Sequence, residues 1–331
     1  PSLKNLVLNS LHSLGVSSLL RSEKKHQLTV LSLHRVSNER NTFWNPIKPE
    51  TFDKLLAYLK KNYRVISFSD IQIIPSLPKG KPFVILSFDD GYYDFYQNAL
   101  PLLVKHDLPC NHNIVNKCAE SNQTIWTERL NILFEHHFKN SIPLTIEFSN
   151  VRRSPADFGG SWMRFYLEVF KALLNIPRVQ REVILSQIES KVEVDTSCRM
   201  MNWEEIKDCT ANKVELGSHT YSHDSLGTIK DSTRLGKEIL QGKLEAEKKL
   251  GEPLKILALP NGQTGQLADE VIQNSDYEYV LYVDDALNQL PLLKKDGPVP
   301  ISRINLVDES FPQMVLRLEQ FHTKLGKYVR N

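Results

Sequence analysis

The chain has 331 residues, of which 41% are hydrophobic and 24% are charged, as in an ordinary globular protein. Its formal net charge of +2 excludes the strongly basic surface that would attract nucleic acids or anionic membranes, and we expect no nucleic-acid partner. The longest apolar runs, such as residues 83–88, are far too short to cross a bilayer, so no transmembrane segment is expected.

The pattern of apolar residues near the N-terminus predicts a helical extension over residues 1–26. Its apolar residues recur at helical spacing, which favours a helix that docks on the rest of the chain, although peripheral membrane association through this helix stays open. Because the chain starts with Pro rather than Met, its start is typical of a trimmed protein, and the compartment stays open between cytoplasm and cell envelope. The apolar residues are Leu3, Leu6, Val7, Leu11 and Leu14.

Strand and helix patterns alternate over residues 27–118. Continuous apolar runs indicate buried strands, and apolar residues at helical spacing indicate helices between them. The predicted strands are 27–36, 81–88 and 109–115, with a short strand and turn at 64–71, and the predicted helices are 49–63 and 94–107.

Residues 119–199 depart from this alternation and carry mostly helical patterns, with one strand-like piece at 142–149. We interpret them as an insertion within a barrel formed by residues 27–118 and 200–325. Strand–helix alternation resumes after the insertion, with strands before His219, Asn261 and Asp284, a long helix that ends at Gly251, and a last helix near 311–325. Repeated strand–helix units argue for a parallel sheet, hence an α/β fold. A (β/α) barrel is the preferred architecture, and an open doubly wound sheet is the alternative.

Polar residues follow several of these strands: Asp89 and Asp90, His219, Asn261 and Asp284. In a (β/α) barrel such positions face one rim, where active sites assemble. Two adjacent carboxylates after a buried strand repel each other, which suggests a positive partner nearby.

A second pattern, a pair of histidines, suggests what that partner is. His219 and His223 are four residues apart, which on a helical turn places both rings on one side. Two imidazoles and one carboxylate form a common zinc site with open positions. Each pattern has a simpler interpretation, a turn for Asp-Asp-Gly and an incidental pair for the histidines. The four cysteines (Cys110, Cys118, Cys198 and Cys209) lack CxxC spacing, so we expect unpaired thiols, which mildly favour a reducing compartment.

The stretches "LSFDDGYYDFYQNALPLL" and "VELGSHTYSHDSL" resemble the first two motifs of NodB-type polysaccharide deacetylases, the family 4 carbohydrate esterases, with similarity over about residues 28–310. This resemblance implies a deformed (β/α) barrel of seven or eight strands and metal-dependent removal of N-acetyl groups from amino sugars. It also implies that Asp90, His219 and His223 bind a divalent ion, zinc above all. Asp89 would then be the base that takes a proton from metal-bound water.

The third motif of the family departs from its usual form, because Pro260 and Gly262 fit but the expected arginine is missing. The backbone N–H of Asn261 is a candidate donor to the oxyanion. We hypothesise that Arg303, in the strand "ISRINL", supplies the missing guanidinium; an outward-facing arginine is the alternative.

The last motif of the family usually supplies a histidine that protonates the leaving amine, and no such tripeptide follows residue 290. We hypothesise that His34, at the end of the first strand, is this acid, with a structural role as the alternative. His322 is expected at the surface. Weaker candidates for the substrate groove are Tyr92, Pro260, Trp126 and Asp284.

The expected function is therefore metal-dependent deacetylation of an N-acetylated glycan or glycoconjugate. Two alternatives stay open. One is a weak or inactive carbohydrate-binding protein with the same fold, because the third and last motifs are altered. The other is a deformylase or deacetylase of a lipid- or nucleotide-linked sugar.

Overall fold

The computed structural model describes residues 3–74, 80–148, 150–293 and 296–323, with residues 3–7 given by backbone alone. Strands and helices alternate on both sides of a mainly helical middle region. The strands are β1 (Gln27–Leu33), β2 (Arg64–Val65), β3 (Phe83–Phe88), β4 (Cys110–Ile114), β5 (Ile146–Phe148), β6 (Val151–Arg153), β7 (Val214–Ser218), β8 (Ile256–Ala258), β9 (Tyr279–Leu281), β10 (Asn288–Gln289), β11 (Val299–Ile301) and β12 (Ile304–Asn305). The helices are α1 (Leu3–Ser13), α2 (Val16–Ser22), α3 (Pro49–Asn62), α4 (Leu100–His106), α5 (Asn116–Ser121), α6 (Trp126–Lys139), α7 (Trp162–Leu174), α8 (Arg178–Glu189), α9 (Trp203–Thr210), α10 (Ser232–Gly236), α11 (Gly242–Leu250), α12 (Gln266–Gln273) and α13 (Phe311–Leu318).

The main sheet is nearly closed into a barrel. β1, β3, β4, β7, β8 and β9 follow one another as parallel neighbours. The segment that contains β11 and β12 pairs with β9 through β11 and with β1 through β12, so it joins the two edges of the sheet. β10 runs antiparallel to β1, which makes the sheet mixed. The predicted α/β barrel is confirmed, and the open doubly wound sheet is wrong.

The strand register places the polar strand ends side by side. All six residues of β3 are buried, as expected for a parallel strand that is covered on both faces. Leu33 of β1 pairs with Phe88 of β3, so the next residues, His34 and Asp89, leave the sheet at the same level. Ser218 of β7 pairs with Ile114 of β4, which brings His219 to the same rim.

Between β4 and β7 the chain forms α5, α6, α7 and α8, together with the antiparallel hairpin β5–β6, which pairs Ile146 with Arg153. Helices α6, α7 and α8 share an apolar cluster of their own, and Phe43, from the loop after β1, packs into it. The helical character expected for residues 119–199 is therefore present. The division of the chain into an inserted unit and a barrel unit stays a prediction.

The N-terminal helix docks on the C-terminal one, since α1 packs against α13 and the rings of His12 and Phe311 meet edge-on with centroids 5.9 Å apart. Farther along, Lys24 forms a buried ion pair with Glu319, at 3.3 Å between Nζ and Oε2. These contacts do not support peripheral membrane association through this helix. No helix in the described ranges is long and apolar enough to span a membrane.

Four predicted elements are interrupted. The helix expected at 94–107 begins as a π-helical turn over Phe95–Ala99, and Pro101 lies in the first turn of the regular helix that follows. The long helix before Gly251 is divided by a second π-helical turn, Lys237–Gln241. The last strand is divided between Ile301 and Ile304. The C-terminal helix is interrupted after Leu318, and helical backbone resumes over residues 321–323; residues 324–325 lie outside the described ranges. The four cysteines are free, as expected.

Candidate metal centre and active site

The two aspartates stand where β3 ends and the chain turns sharply. The backbone N–H of Asp89 continues the sheet by donating to the Leu33 carbonyl at 2.9 Å. Asp90 and Gly91 then adopt left-handed backbone conformations, with φ of 78° and 88°. Gly91 adopts this conformation without strain, whereas in Asp90 it costs backbone strain energy, as is often found at functional sites. Both carboxylates are buried, at 2% and 3% exposure.

His219 and His223 lie in the loop after β7 and not on a helical turn, so the helical explanation of their spacing is wrong. Thr220 and His223 have φ of 66° and 56°, and this left-handed backbone folds the loop back on itself. The two imidazole rings come to 4.9 Å between centroids, and both are buried. The four-residue spacing therefore predicted their convergence for the wrong structural reason.

The Asp90 carboxylate lies between the two rings. Its Oδ1 is 3.3 Å from Nε2 of His219 and 3.3 Å from Nε2 of His223, and the three potential ligand atoms lie within 4.8 Å of one another. Ligand atoms about 2.0–2.1 Å from a tetrahedral zinc ion are separated by about 3.3 Å, so this spacing suits such an ion. Asp90 Oδ1 is buried without a hydrogen-bond partner, which a cation would supply. These residues fit a divalent metal.

The structure orients His219 and favours the neutral form of His223. Burial lowers the pKa of His219, but the carboxylates of Asp89 and Asp90 outweigh it and hold that pKa above its usual value. His219 Nδ1 is 2.9 Å from the carbonyl oxygen of Ala258, to which it donates, and this leaves the Nε2 lone pair for a ligand bond. Burial lowers the pKa of His223 to about 4, which favours the neutral ring. Burial raises the pKa of Asp90, but contacts with His219 and His223 outweigh it and hold the pKa below its usual value.

Asp89 has a different set of contacts. Its Oδ1 accepts hydrogen bonds from Nη1 of Arg303 at 2.9 Å and from Nδ2 of Asn113 at 2.8 Å. Burial opposes ionisation of this carboxyl, but the Arg303 guanidinium, followed by His219, holds the pKa of Asp89 well below its usual range. Arg303 faces the barrel interior with no exposed surface, so the outward-facing alternative is wrong. Asp89 is therefore ionised beside the metal ligands.

Sequence reasoning missed the residues that support Asp89 from behind. Asn113 of β4 reaches it, and Ser87 accepts from both Asn113 and Arg303, at 3.1 and 3.2 Å. Gly217 of β7 makes room for them, since a Cβ there would lie 2.1 Å from Oδ1 of Asn113. Polar residues in "CNHNI", a strand that is buried throughout, were the available signal.

A cavity of about 350 Å³ opens over these groups. It is lined by the four motif side chains together with His34, Tyr92 and Asn261, so these three predicted residues share one space with the candidate metal site. Asn261 adopts a left-handed conformation with φ of 55°, and its side-chain Nδ2 is buried without a partner. His34 meets the ring of Trp44 edge-on, at 5.7 Å between centroids.

The opposite wall of the cavity comes from the loop after β1 and from helices α6 and α7. It combines aromatic and aliphatic surface with a few polar groups. Its members are Phe43, Trp44, Thr127, Glu128, Asn131, Tyr166, Leu167, Phe170 and Leu174.

Three weaker predictions need correction, because none of these side chains lines the cavity. The Trp126 ring is buried behind its wall, stacked on Phe170 at 5.4 Å, with the Arg181 guanidinium 4.7 Å over it. Asp284 is exposed in a turn and accepts a hydrogen bond from Ser302 at 2.7 Å. Pro260 is buried beneath the turn that presents Asn261. The sequence patterns did not show whether these side chains line the cavity or lie outside its lining. His322 is exposed, as expected.

Comparison with known families agrees with the motifs. A family model described as polysaccharide deacetylase matches residues 178–280, a range that includes both histidines but not the aspartate pair. YxkH of Bacillus subtilis (strain 168), which carries a provisional polysaccharide deacetylase name, is 23% identical over 123 residues. That match covers 36% of this chain and 43% of YxkH, so it spans less than half of the relative.

Solved structures share the fold. The deacetylase PplD of Streptococcus pyogenes, in complex with acetate, superposes with a TM-score of 0.57 at 14% identity, over 88% of this chain and 98% of PplD. IcaB from Ammonifex degensii gives 0.54 at 17% identity, over 89% and 97%. The chain is thus similar in part of its sequence, and in its fold, to polysaccharide deacetylases, as its two motifs predicted.

Proposed function

We propose that the protein is a metal-dependent hydrolase that removes N-acetyl groups from an amino-sugar glycan. The observation that carries the proposal is the placement of Asp90 Oδ1 at 3.3 Å from Nε2 of both His219 and His223, with no other partner for that buried oxygen. Two imidazoles and one carboxylate suit zinc best among divalent ions and leave coordination positions open. When bound, such an ion lowers the pKa of water and polarises an amide carbonyl.

Asp89 is the general base in this proposal. Its ionised carboxylate lines the cavity beside the three ligands, and the two hydrogen bonds described above both end on Oδ1. A base fixed in this way accepts the proton of the attacking water without first reorganising. Arg303 keeps that carboxylate charged and oriented, which is the role that the missing motif arginine would have had.

His34 is proposed as the acid that protonates the leaving amine, and the backbone N–H of Asn261 as a donor to the oxyanion. Both residues line the same cavity as the metal ligands. The left-handed conformation of Asn261 turns its peptide relative to those of its neighbours, which supports a donor directed into the cavity. Amide hydrolysis needs two further functions besides the base and the metal, which are stabilisation of the oxyanion and donation of a proton to the leaving amine.

The cavity wall supports a neutral carbohydrate substrate. Trp44 offers an aromatic face of the kind on which sugar rings pack, and the buried Oδ1 of Asn131 lacks a partner that a hydroxyl could supply. Among the described residues, no lysine or arginine side chain lines the cavity, so a phosphate group would lack the cationic side-chain partners that usually bind it. This arrangement favours an N-acetylated glycan over a nucleotide- or diphosphate-linked sugar.

Acetate release tests the proposal. Protein stripped with a chelator is incubated with N-acetylglucosamine oligomers, with and without added Zn²⁺, and free acetate is measured. We expect release that requires the metal and is absent from Asp89→Asn. Glycan binding without acetate release would favour the alternative of an inactive carbohydrate-binding protein, and the absence of metal binding would contradict the proposed hydrolase.

A further inference from the structure

The loop that carries His223 is held by the inserted region. Arg181 of α8 donates from Nη2 to Oδ1 of Asp224 at 2.7 Å, and Asp224 is the next residue after the metal-ligand candidate. Arg178, one turn earlier on α8, donates from Nη1 to Oγ of Ser222 at 2.8 Å, on the other side of His223. Both neighbours of the histidine are therefore bound to one helix of the insertion.

Residues of the barrel also bind Ser222 and Asp224. Arg234 of α10 donates to Oδ2 of Asp224. The carboxylate of Glu238 accepts from the Ser222 backbone N–H at 2.9 Å and from its hydroxyl at 2.6 Å. The backbone on either side of His223 is thus fixed from two directions, once by the insertion and once by the barrel.

The Arg181–Asp224 contact is an ion pair with almost no access to solvent. Arg181 is 1% exposed, Asp224 is not exposed, and the Arg181 guanidinium also lies over the ring of Trp126. Such a pair is costly to bury, and its benefit lies in specifying one geometry more than in adding stability. The residue it would specify is His223, whose left-handed backbone is strained and needs its surroundings to hold it.

We propose that Arg181 is a positioning residue for the metal centre: through Asp224 it fixes the orientation of His223, so that helix α8 of the insertion is a working part of the metal site. The proposal rests on the proposed function, because it assumes that His223 binds the ion. It goes beyond that function because it assigns to the insertion the orientation of a metal ligand, in addition to forming a wall of the cavity. It also implies coupling in both directions, since an ion that needs the loop in place stabilises the insertion in return.

The test measures metal affinity without relying on activity. Zn²⁺ is titrated into stripped wild-type, Arg181→Met, Arg181→Lys and Arg129→Met proteins in competition with a chromophoric chelator. Arg129 is the matched control, because it pairs with Glu182 and Glu189 of the same helix and has no described contact with the His223 loop. We expect about 10–100-fold weaker binding in Arg181→Met, as for other residues that orient metal ligands. We expect partial recovery in Arg181→Lys and a change of less than about 2-fold in Arg129→Met.

A second readout follows from coupling. A fixed excess of Zn²⁺ raises the unfolding midpoint of the wild type by an amount that grows with the logarithm of its affinity, and this rise should shrink in Arg181→Met but not in Arg129→Met. Wild-type affinity in a folded Arg181→Met protein, or equal losses in the Arg181 and Arg129 variants, would overturn the proposal. If Arg181→Met does not fold, the Zn²⁺ affinity of Arg181→Lys becomes the deciding measurement. A wild-type affinity in that variant would contradict the positioning role. Absence of metal binding by the wild type would instead overturn the proposed function.

Discussion

Arg303 and Asp89 form a fully buried ion pair across 214 positions of sequence, with 2.9 Å between Nη1 and Oδ1. The arginine comes from the break between β11 and β12, the segment that joins the two edges of the barrel. The aspartate follows β3, two strands away around the ring. One contact therefore links the segment that closes the barrel to the candidate base.

Replacing Arg303 by Met should remove this contact while preserving side-chain volume. We expect turnover to fall by at least about 100-fold, because Asp89 loses its main electrostatic partner and its fixed orientation. Removing one partner of a buried ion pair should also lower the free energy of unfolding by about 3–5 kcal/mol. Acetate release and urea unfolding measure the two effects. Arg317→Met, which removes a partly exposed pair with Glu309, is the control. Unchanged turnover in Arg303→Met would exclude the role.

The two adjacent aspartates should behave differently when each is changed to Asn. Asp89→Asn should keep metal affinity within a few fold and lose about 10²–10⁴ in turnover, as expected for a general base. Asp90→Asn should lose metal affinity, because a neutral amide oxygen is a poorer zinc ligand than a carboxylate. Metal content after dialysis, measured beside acetate release, separates the two outcomes. Equal metal loss in both variants would contradict the division of roles.

His34→Gln tests the proposed acid. The amide can still hydrogen-bond, but it does not titrate, so we expect turnover to fall by about 10²–10⁴ with metal affinity unchanged. A substrate whose leaving amine is already activated should be less affected than an unactivated one, because it needs less protonation. Near-normal rates on both substrates would leave His34 a structural role beside Trp44.

Gly217→Ala tests the support behind Asp89. The added methyl group would lie 2.1 Å from Oδ1 of Asn113, and Asn113 would have to move away from Asp89. We expect about 1–3 kcal/mol of destabilisation from overpacking, together with reduced turnover. Gly236→Ala is the control, since nothing lies within 4 Å of a Cβ there. If Gly217→Ala matched the control in both stability and turnover, Asn113 would not be a necessary support.

Asn261→Gly separates the backbone of the third motif from its side chain. Glycine keeps the left-handed conformation and the peptide N–H but removes Nδ2. If the backbone N–H stabilises the oxyanion, turnover should stay within a few fold of the wild type. A loss of 10²–10³ in kcat, which is typical for removal of one oxyanion donor, would assign the role to the side chain.

The barrel and the metal-ligand candidates were predictable because their signals are local. β3 is a continuous apolar run that ends in Asp89 and Asp90, and the histidine pair lies just past a strand. Parallel strands bring such ends to one rim whatever lies between them. Arg303 could be suspected because a charged residue within an apolar strand needs an internal partner.

The features of the site that could not be predicted depend on contacts between residues distant in sequence or on the backbone conformation of loops. The left-handed residues Thr220 and His223 bring the two histidines together, and nothing in a single sequence distinguishes that loop from a helical turn of the same length. Trp126 looked suitable for a sugar surface, but the packing of α6 against its neighbours turned it away from the cavity. Arg181 gave no sequence signal, since its partner Asp224 is 43 residues away.

The central claim is that one divalent ion is held jointly by Asp90, His219 and His223. A crystal of the zinc-loaded protein, measured above and below the zinc absorption edge, tests it directly. We predict a single anomalous peak about 2.0–2.2 Å from Oδ1 of Asp90 and from Nε2 of both histidines. No peak within bonding distance of all three atoms, or a peak held by other residues, would contradict the account.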